Sequence, residues 1–494
     1  MPSNVSRRGF LAGTASVVAV LAALQARRGV ADTRASRFVP GPYGPLRPAL
    51  DLETGLPLIY LPEGFEYRTY SWAGDPMSDG TPAPDAHDGM GVVAASGRGD
   101  SLEVTLVRNH ERGFASPILA PSRYDTVTPA GQAFAPGGGT TTLSFHGRRW
   151  VGVRPSLGGT IYNCAGGATP WGSWLSCEET VIDLTKRGGR RHGYVFEVRA
   201  DAAETTAKPI VGMGHMLHEA IAVDPATGIA YLTEDEAWNS GFYRYVADSA
   251  RVGPGSYEAG GRLQAARVAR RAHADLRTPA VGDVHAIEWV DIENPDADPG
   301  RTPPEIAGSP PVRASGPFLQ SWAHGGLVMS RGEGICHHGG KLYLVDTEAG
   351  RDAGGLPGHG DGAVWEYDPR EQTLTAIFVA GSHQVGDNID NITASPRGGL
   401  LLCENGEAVT DEYGEGTRLI GITAEGDSYA FAKNNIDLTL EDQVASGKRI
   451  FADYYRASEW AGACFDPGGE VLFVNIQIPG ITFAIWGPWE RGNL

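Results

Sequence analysis

One unit recurs along the chain: a polar residue, a short apolar run, a turn, a second apolar run, then an acid or amide. The clearest copy runs from Glu219 through Asp224-Pro225 and Gly228 to Glu234. Further copies run from Glu333 through Gly339-Gly340 to Asp346, from Asn391 through Pro396 and Gly398-Gly399 to Glu404, and from Gly462 through Asp466-Pro467 to Asn475. Asn163 to Glu178 and Asp88 to Asn109 are looser copies, which makes six. Asp-Pro and Gly-Gly pairs serve tight turns, and apolar runs on either side read as strands. Each unit is therefore a hairpin whose ends return to one edge. Six such hairpins predict an all-β fold, a six-bladed β-propeller with long loop insertions, whose inner strands bring those ends to one mouth. Segments between them, such as Gly193–Val198, Gly241–Val246, Ala363–Tyr367 and Leu419–Thr423, read as outer strands.

Two stretches interrupt the repeat, residues 114–139 and 250–330, both rich in turn-forming residues. The repeat resumes after each, so residues 32–494 read as a single propeller domain with two surface excursions. The 68 glycines and 33 prolines fit many tight turns, and 41% hydrophobic residues suffice for a core, which argues against disorder. A net charge of −18 disfavours nucleic acid as a partner.

At the N-terminus, Ser6-Arg7-Arg8-Gly9-Phe10-Leu11 leads into an apolar run to about Leu24, with small residues around Ala31. Residues 1–31 therefore read as a twin-arginine export signal, and the run is too short to span a bilayer securely. The expected location is periplasmic or secreted, with the twin-arginine export machinery as a partner and no stable membrane insertion. That route carries folded proteins, often with a cofactor in place. The five cysteines, Cys164, Cys177, Cys336, Cys403 and Cys464, form no CxxC pair, and an odd count leaves one outside any disulfide set.

The strand ends are more polar than turns require: Asn109-His110-Glu111, Cys177-Glu178-Glu179, His218-Glu219, Glu234-Asp235-Glu236, Arg331-Gly332-Glu333 and Gly386-Asp387-Asn388. A single such acid is ordinarily a solvated loop residue. Several brought to one mouth need cations to offset their charge. Clustered carboxylates suit Ca²⁺ or Mg²⁺, and an exported protein favours Ca²⁺. Cys177 beside Glu178 has two readings, a ligand for a softer transition ion or a small buried residue. The second fits Cys336, Cys403 and Cys464, which lie inside apolar runs. His110, His215, His218, His337 and His338 read as structural, and Asn163 opens a hairpin where it reaches either a substrate or its own turn. No GxSxG elbow, P-loop or Rossmann glycine fingerprint occurs.

Taken in order, the signal Ser6–Leu11, Asn109-His110-Glu111, Gly172-Ser-Trp-Leu-Ser-Cys177-Glu178-Glu179, His218-Glu219-Ala220, Arg331-Gly332-Glu333 and Gly386-Asp387-Asn388 resemble the PhoX-type alkaline phosphatases. The Trp-Leu-Ser-Cys-Glu-Glu element is the most specific of these. The resemblance implies a twin-arginine-exported propeller with a pair of ferric ions (Fe³⁺) and calcium ions (Ca²⁺). It implies Cys177 as an iron ligand, with Glu111, Glu178, Glu219 and Glu333 as metal ligands, and Asp387 lies in a matching stretch and is counted with them. Arg331 matches the family's phosphate-clamping arginine, with Gly332 where the motif usually has proline, and Asn163 stands at the substrate mouth. The expected activity is hydrolysis of small-molecule phosphate esters. Two alternatives stand beside it: a calcium-dependent propeller hydrolase of lactones or phosphotriesters, and a non-catalytic calcium-stabilised binding module.

Overall fold

A computed structural model describes residues 35–306 and 313–494. The signal expected over residues 1–31 lies outside the described residues. Six hairpin strands, His87–Ser96 (β1), Asn163–Ala168 (β2), His218–Val223 (β3), Gly332–His338 (β4), Ile389–Ala394 (β5) and Trp460–Phe465 (β6), pack side by side in a closed ring around one axis. Each pairs antiparallel with the strand that follows its turn, and further strands extend each sheet outward. The result is a β-propeller-like fold.

Turn chemistry explains the hairpins. Asp224 caps its turn by accepting from the Ala226 amide at 2.9 Å and the Thr227 hydroxyl at 2.7 Å. Asp466 likewise accepts from the Gly468 amide at 2.7 Å and the Val471 amide at 2.6 Å. Such local bonds hold an Asp-Pro turn without help from any long-range contact. Apolar cores fill the spaces between neighbouring sheets. One joins Leu401, Leu419 and Phe431 to Leu472, Val474 and Phe483, all buried. Full burial of each such side chain contributes about 1.5–3 kcal/mol.

The ring is closed from the N-terminal side. Glu66–Tyr70 pairs with Ile481–Trp486 as the outermost strand of the sheet that contains β6. The 250–330 excursion is more ordered than a surface loop: Gly261–Val268 and Val284–Asp291 are strands, and the second bridges two sheets by pairing with Thr373–Val379. Residues 114–137 contain isolated bridges, such as Phe114 with Pro136, and no strand. Among the described residues no helix is long and apolar enough to cross a membrane.

Candidate metal centre

All six ring strands break register at the same place. The ladder pairs His87 with His110, Asn163 with Glu178, His218 with Glu234, Gly332 with Asp346, Ile389 with Glu404 and Ala461 with Asn475. It then resumes three residues on along the inner strand but only two back along its partner. Each ring strand thus carries a β-bulge in which two residues oppose a single one on the partner strand, which turns side chains away from the regular pleat. The first of the two is Asp88, Cys164, Glu219, Glu333, Asp390 or Gly462. Five of six strands therefore offer an acid or a thiol at one repeated position. The second is small or polar, and it lets the strands approach. A Cβ on Gly89 would stand 2.5 Å from the Ala165 Cα, and one on Gly334 would stand 2.8 Å from the Asn391 Cα.

These side chains meet. Ligand atoms of Asp88, Glu111 and Cys164 lie within 4.8 Å of one another, as do those of Cys164, Glu179 and Glu219, and those of Glu219, Glu333 and Asp390. Shared members make the three groups one continuous cluster. Glu111 and Glu179 each follow the last residue of a second hairpin strand, and Asp235 occupies the same position in the next hairpin. Gln477 Nε2 donates to Glu111 Oε2 at 2.7 Å and to Asp88 Oδ2 at 3.2 Å.

Electrostatically the cluster is far out of balance. Burial, followed by the Asp390 charge, raises the Asp88 carboxyl to about 7. Burial and then Asp88 raise Glu111 to about 8. Glu179, Glu219, Glu333 and Glu459 are pushed well above the usual carboxylate range by burial first and by a neighbouring acid second, Asp235 for Glu179 and Glu333, Glu333 for Glu219 and Asp88 for Glu459. Burial, then Asp88 and Glu219, raises the Cys164 thiol. Among the described residues the guanidinium within the set is that of Arg331, which is held by Asp235 through Nε and Nη2 at 2.9 Å each and by Glu333 at 2.6 Å. Both carboxylate oxygens of Glu219 are buried without a hydrogen-bond partner. A buried, unbonded carboxylate among like charges is the arrangement that bound cations resolve.

The sequence-predicted residues divide in two. Glu111, Glu219, Glu333 and Arg331 are brought together at the axis. Cys177, Glu178, Asn163 and Asp387 are not. Cys177 sits in an apolar core with Leu175, Val195 and Leu232, and burial alone raises its thiol. Glu178 faces outward and is saturated: it accepts from the Ile161, Gly193 and Tyr194 amides at 2.9, 2.8 and 3.2 Å and meets His192 Nδ1 at 2.6 Å. The Asn163 amide is engaged by Ser176 of its own sheet and by Thr160 at the end of the sheet that contains β1. Asp387 joins His383 and Asp361 in a separate group beside the ring. Sequence reasoning singled out the strand ends that hold Glu179 and Asp235 without choosing these two residues, and it did not select Asp88, Cys164, Asp390 or Glu459. Aligning the hairpins on their turns would have shown the recurrent acid or thiol at the second residue of β1 to β5.

Residues 41–156 and 153–480 match the family model for alkaline phosphatase PhoX. The chain belongs to the PhoX alkaline phosphatase family. It is a metal-dependent hydrolase of phosphate esters. No curated protein sequence gives a significant match. Among solved structures, the PhoX of Pseudomonas fluorescens in complex with vanadate, a transition state analogue, superposes with a TM-score of 0.61 at 16% identity, covering 94% of this chain and 99% of that one. The XC5397 gluconolactonase of Xanthomonas campestris gives a TM-score of 0.33 at 12% identity, covering 78% and 90%. The Arg331-Gly332-Glu333 stretch is anchored through its glycine. The Gly332 amide donates to Ser240 Oγ at 3.0 Å, a bond that proline has no N–H to make.

Proposed function

We propose that this PhoX protein hydrolyses phosphate esters at a mixed iron and calcium centre held by Asp88, Glu111, Cys164, Glu179, Glu219, Glu333 and Asp390. The observation that carries this reading is the set of five aligned bulges, which aim four carboxyls and one thiol at a common axis where Glu219 has no protein partner. The donor set fits such a centre. Carboxylate oxygens suit a hard ion such as Ca²⁺, whereas a thiolate flanked by carboxylates suits a transition ion such as iron. Bound cations would offset the crowded charge, polarise the phosphoryl oxygens and make water acidic enough to attack near neutral pH.

The remaining work belongs to the chain. Asp235 and Glu333 grip Nε and Nη2 of Arg331, so its guanidinium is oriented before substrate arrives, and Nη1 takes part in none of these three bonds. That edge is suited to a phosphoryl oxygen as charge spreads over the equatorial positions. Gln477 fixes the orientation of the Glu111 and Asp88 carboxylates from one side. Asn405 Nδ2 does the same for Asp390 at 3.1 Å. Rigid placement of this kind lowers the reorganisation needed in the transition state. The Ser6–Leu11 signal supports export by the twin-arginine route with the metals already loaded.

The test is elemental analysis of the exported protein together with phosphomonoesterase assays across pH. Iron and calcium together, with turnover lost on chelation and restored by both ions, is the expected result. Calcium without iron in an active enzyme would sink the mixed centre and favour the calcium-only propeller chemistry of lactonases or phosphotriesterases. A metal-replete protein with no turnover would leave a binding module.

A further inference from the structure

Beside the metal centre, at the same end of the ring, lies a cavity of about 650 Å³ that the cluster does not use. Met77, Ile118, Leu119, Ile450, Phe451 and Pro479 make much of its wall, with the paired Asp85 and Arg112 among its charged members. Four chain segments build it, and each leads directly to the cluster. Asp85 is three residues before Asp88, Arg112 follows Glu111, Ile478 follows Gln477, and Tyr455 is four residues before Glu459. Arg112 Nε pairs with Asp85 at 2.6 Å, while its Nη1 donates to the Ser116 and Gly137 carbonyls at 2.8 and 3.0 Å. That arginine is thereby committed to holding the 112–119 wall in place.

The chemistry of the wall contrasts with that of the centre. The axis is anionic and suited to cations and phosphate, whereas the cavity is apolar. At its rim Leu119, Phe451 and Ile478 are 57%, 80% and 42% exposed. Large apolar side chains gathered uncovered around a concavity mark a place where apolar surface is buried on binding. Its volume is within the range of ligand pockets that take up an organic group. We propose that this cavity is the leaving-group subsite, and that it selects phosphate monoesters of bulky apolar, aryl-bearing alcohols. The phosphate would lie on the centre, and the apolar part of the alcohol would lie between Leu119 and Phe451. The assignment rests on the phosphatase reading and narrows it to a substrate class.

The test uses the metal-loaded full chain. Two substrates are compared whose leaving alcohols differ little in acidity, 2-(1-naphthyl)ethyl phosphate and ethyl phosphate. Binding of naphthylmethylphosphonate is followed in parallel by its fluorescence. The expected kcat/KM ratio favours the naphthyl ester by about tenfold or more, the scale on which pockets discriminate apolar groups. Leu119→Asp and Phe451→Ser, both at exposed positions, are expected to cut that ratio at least about fivefold and to weaken phosphonate binding. A ratio near one in the wild type, or a ratio that neither variant moves, overturns the assignment. Should no ester be turned over, the phosphatase reading fails separately. The phosphonate then decides: a fluorescence change that both variants abolish supports the subsite, and no change overturns it.

Discussion

Glu178 and Glu179 are adjacent in the chain and face opposite ways. Glu178 turns outward, where three backbone amides and His192 surround it, and Glu179 turns inward to Cys164 and Glu219. Side chains alternate across a strand, so a slip of one residue exchanges the two faces. The cysteines divide similarly, Cys164 at the axis and Cys177 in an apolar core. On the proposed mixed centre, Cys164→Ser is expected to lose iron while Cys177→Ser keeps it. The second variant instead buries a hydroxyl among apolar side chains and costs about 1–3 kcal/mol of stability. Metal analysis and thermal unfolding of the two proteins separate these outcomes, and full iron occupancy in Cys164→Ser would remove that thiol from the centre. Arg331→Lys keeps the charge but loses the planar fork that engages Asp235 and Glu333 together. Its kcat/KM is expected to fall about a hundredfold, and a fall of less than about threefold would end its assigned role. The hairpins and their acidic ends were legible from local turn chemistry. Which acid of a neighbouring pair faces the axis was not, because it depends on a bulge across the ladder that leaves no mark beside the acid itself.

The elements show how the inward set is held. Four ring strands are entered through a residue in the left-handed region: Ala86 at φ 49°, Tyr162 at 50°, Arg331 at 57° and Asn388 at 47°. Such a conformation costs a non-glycine residue about 1 kcal/mol and persists only where the surroundings enforce it. Here it turns the chain sharply into the bulge, and at Arg331 it also sets the start of the guanidinium arm. The outward acids brace the loops that make these turns. Glu404 holds Arg418 at 2.6 Å, and Glu178 holds His192. Burial works against charge on His192, but Glu178 at 2.6 Å and Asp125 at 3.5 Å prevail and raise its pKa to about 9. The folded value therefore lies above the unfolded value of about 6.5. Its contribution is fully present below about pH 6.5 and is lost as pH rises through about 9, amounting to an order of 3 kcal/mol. Denaturant unfolding between pH 6 and 10 is expected to show wild-type stability falling relative to His192→Gln. Parallel curves for the two proteins would show that the brace carries no charge. Neither the bulges nor the left-handed entries were legible beforehand, since Ala, Tyr and Arg are not residues that ordinarily mark such a conformation.

At the scale of the whole molecule, a ring of sheets is only as stable as its closure. The closing strand, Glu66–Tyr70, belongs to the N-terminal segment and completes the sheet that ends the chain. It is tied in by more than ladder bonds: Asp51 accepts from the Thr69 amide and hydroxyl at 2.9 and 2.6 Å, and Tyr67 and Trp72 are wholly buried in the core beside β6. The two strands before it, Leu46–Ala49 and Ile59–Pro62, extend the neighbouring sheet that contains β5. One short segment therefore ties together the last two sheets, and β6 in turn stands against β1, which carries Asp88. A chain beginning at Ala73 would expose the edge of Ile481–Trp486 and uncover part of that core. Such a chain is expected to lose both its single cooperative unfolding transition and its bound metal, although no cluster residue has been removed. Position rather than mere presence of the segment can be tested as well, because Leu494 donates its amide to the Tyr43 hydroxyl at 2.8 Å and so lies beside the start of the clasp. Joining residue 494 to residue 41 and opening the chain before Ala73 preserves the pairings of Leu46–Ala49, Ile59–Pro62 and Glu66–Tyr70 and gives up the isolated Phe38–Ser428 bridge. That permuted protein is expected to recover cooperative unfolding in calorimetry and the metal content of the original. If the truncated chain melts at the wild-type temperature with its metals retained, closure is carried by the inner strands alone, and the clasp is not what keeps the centre together.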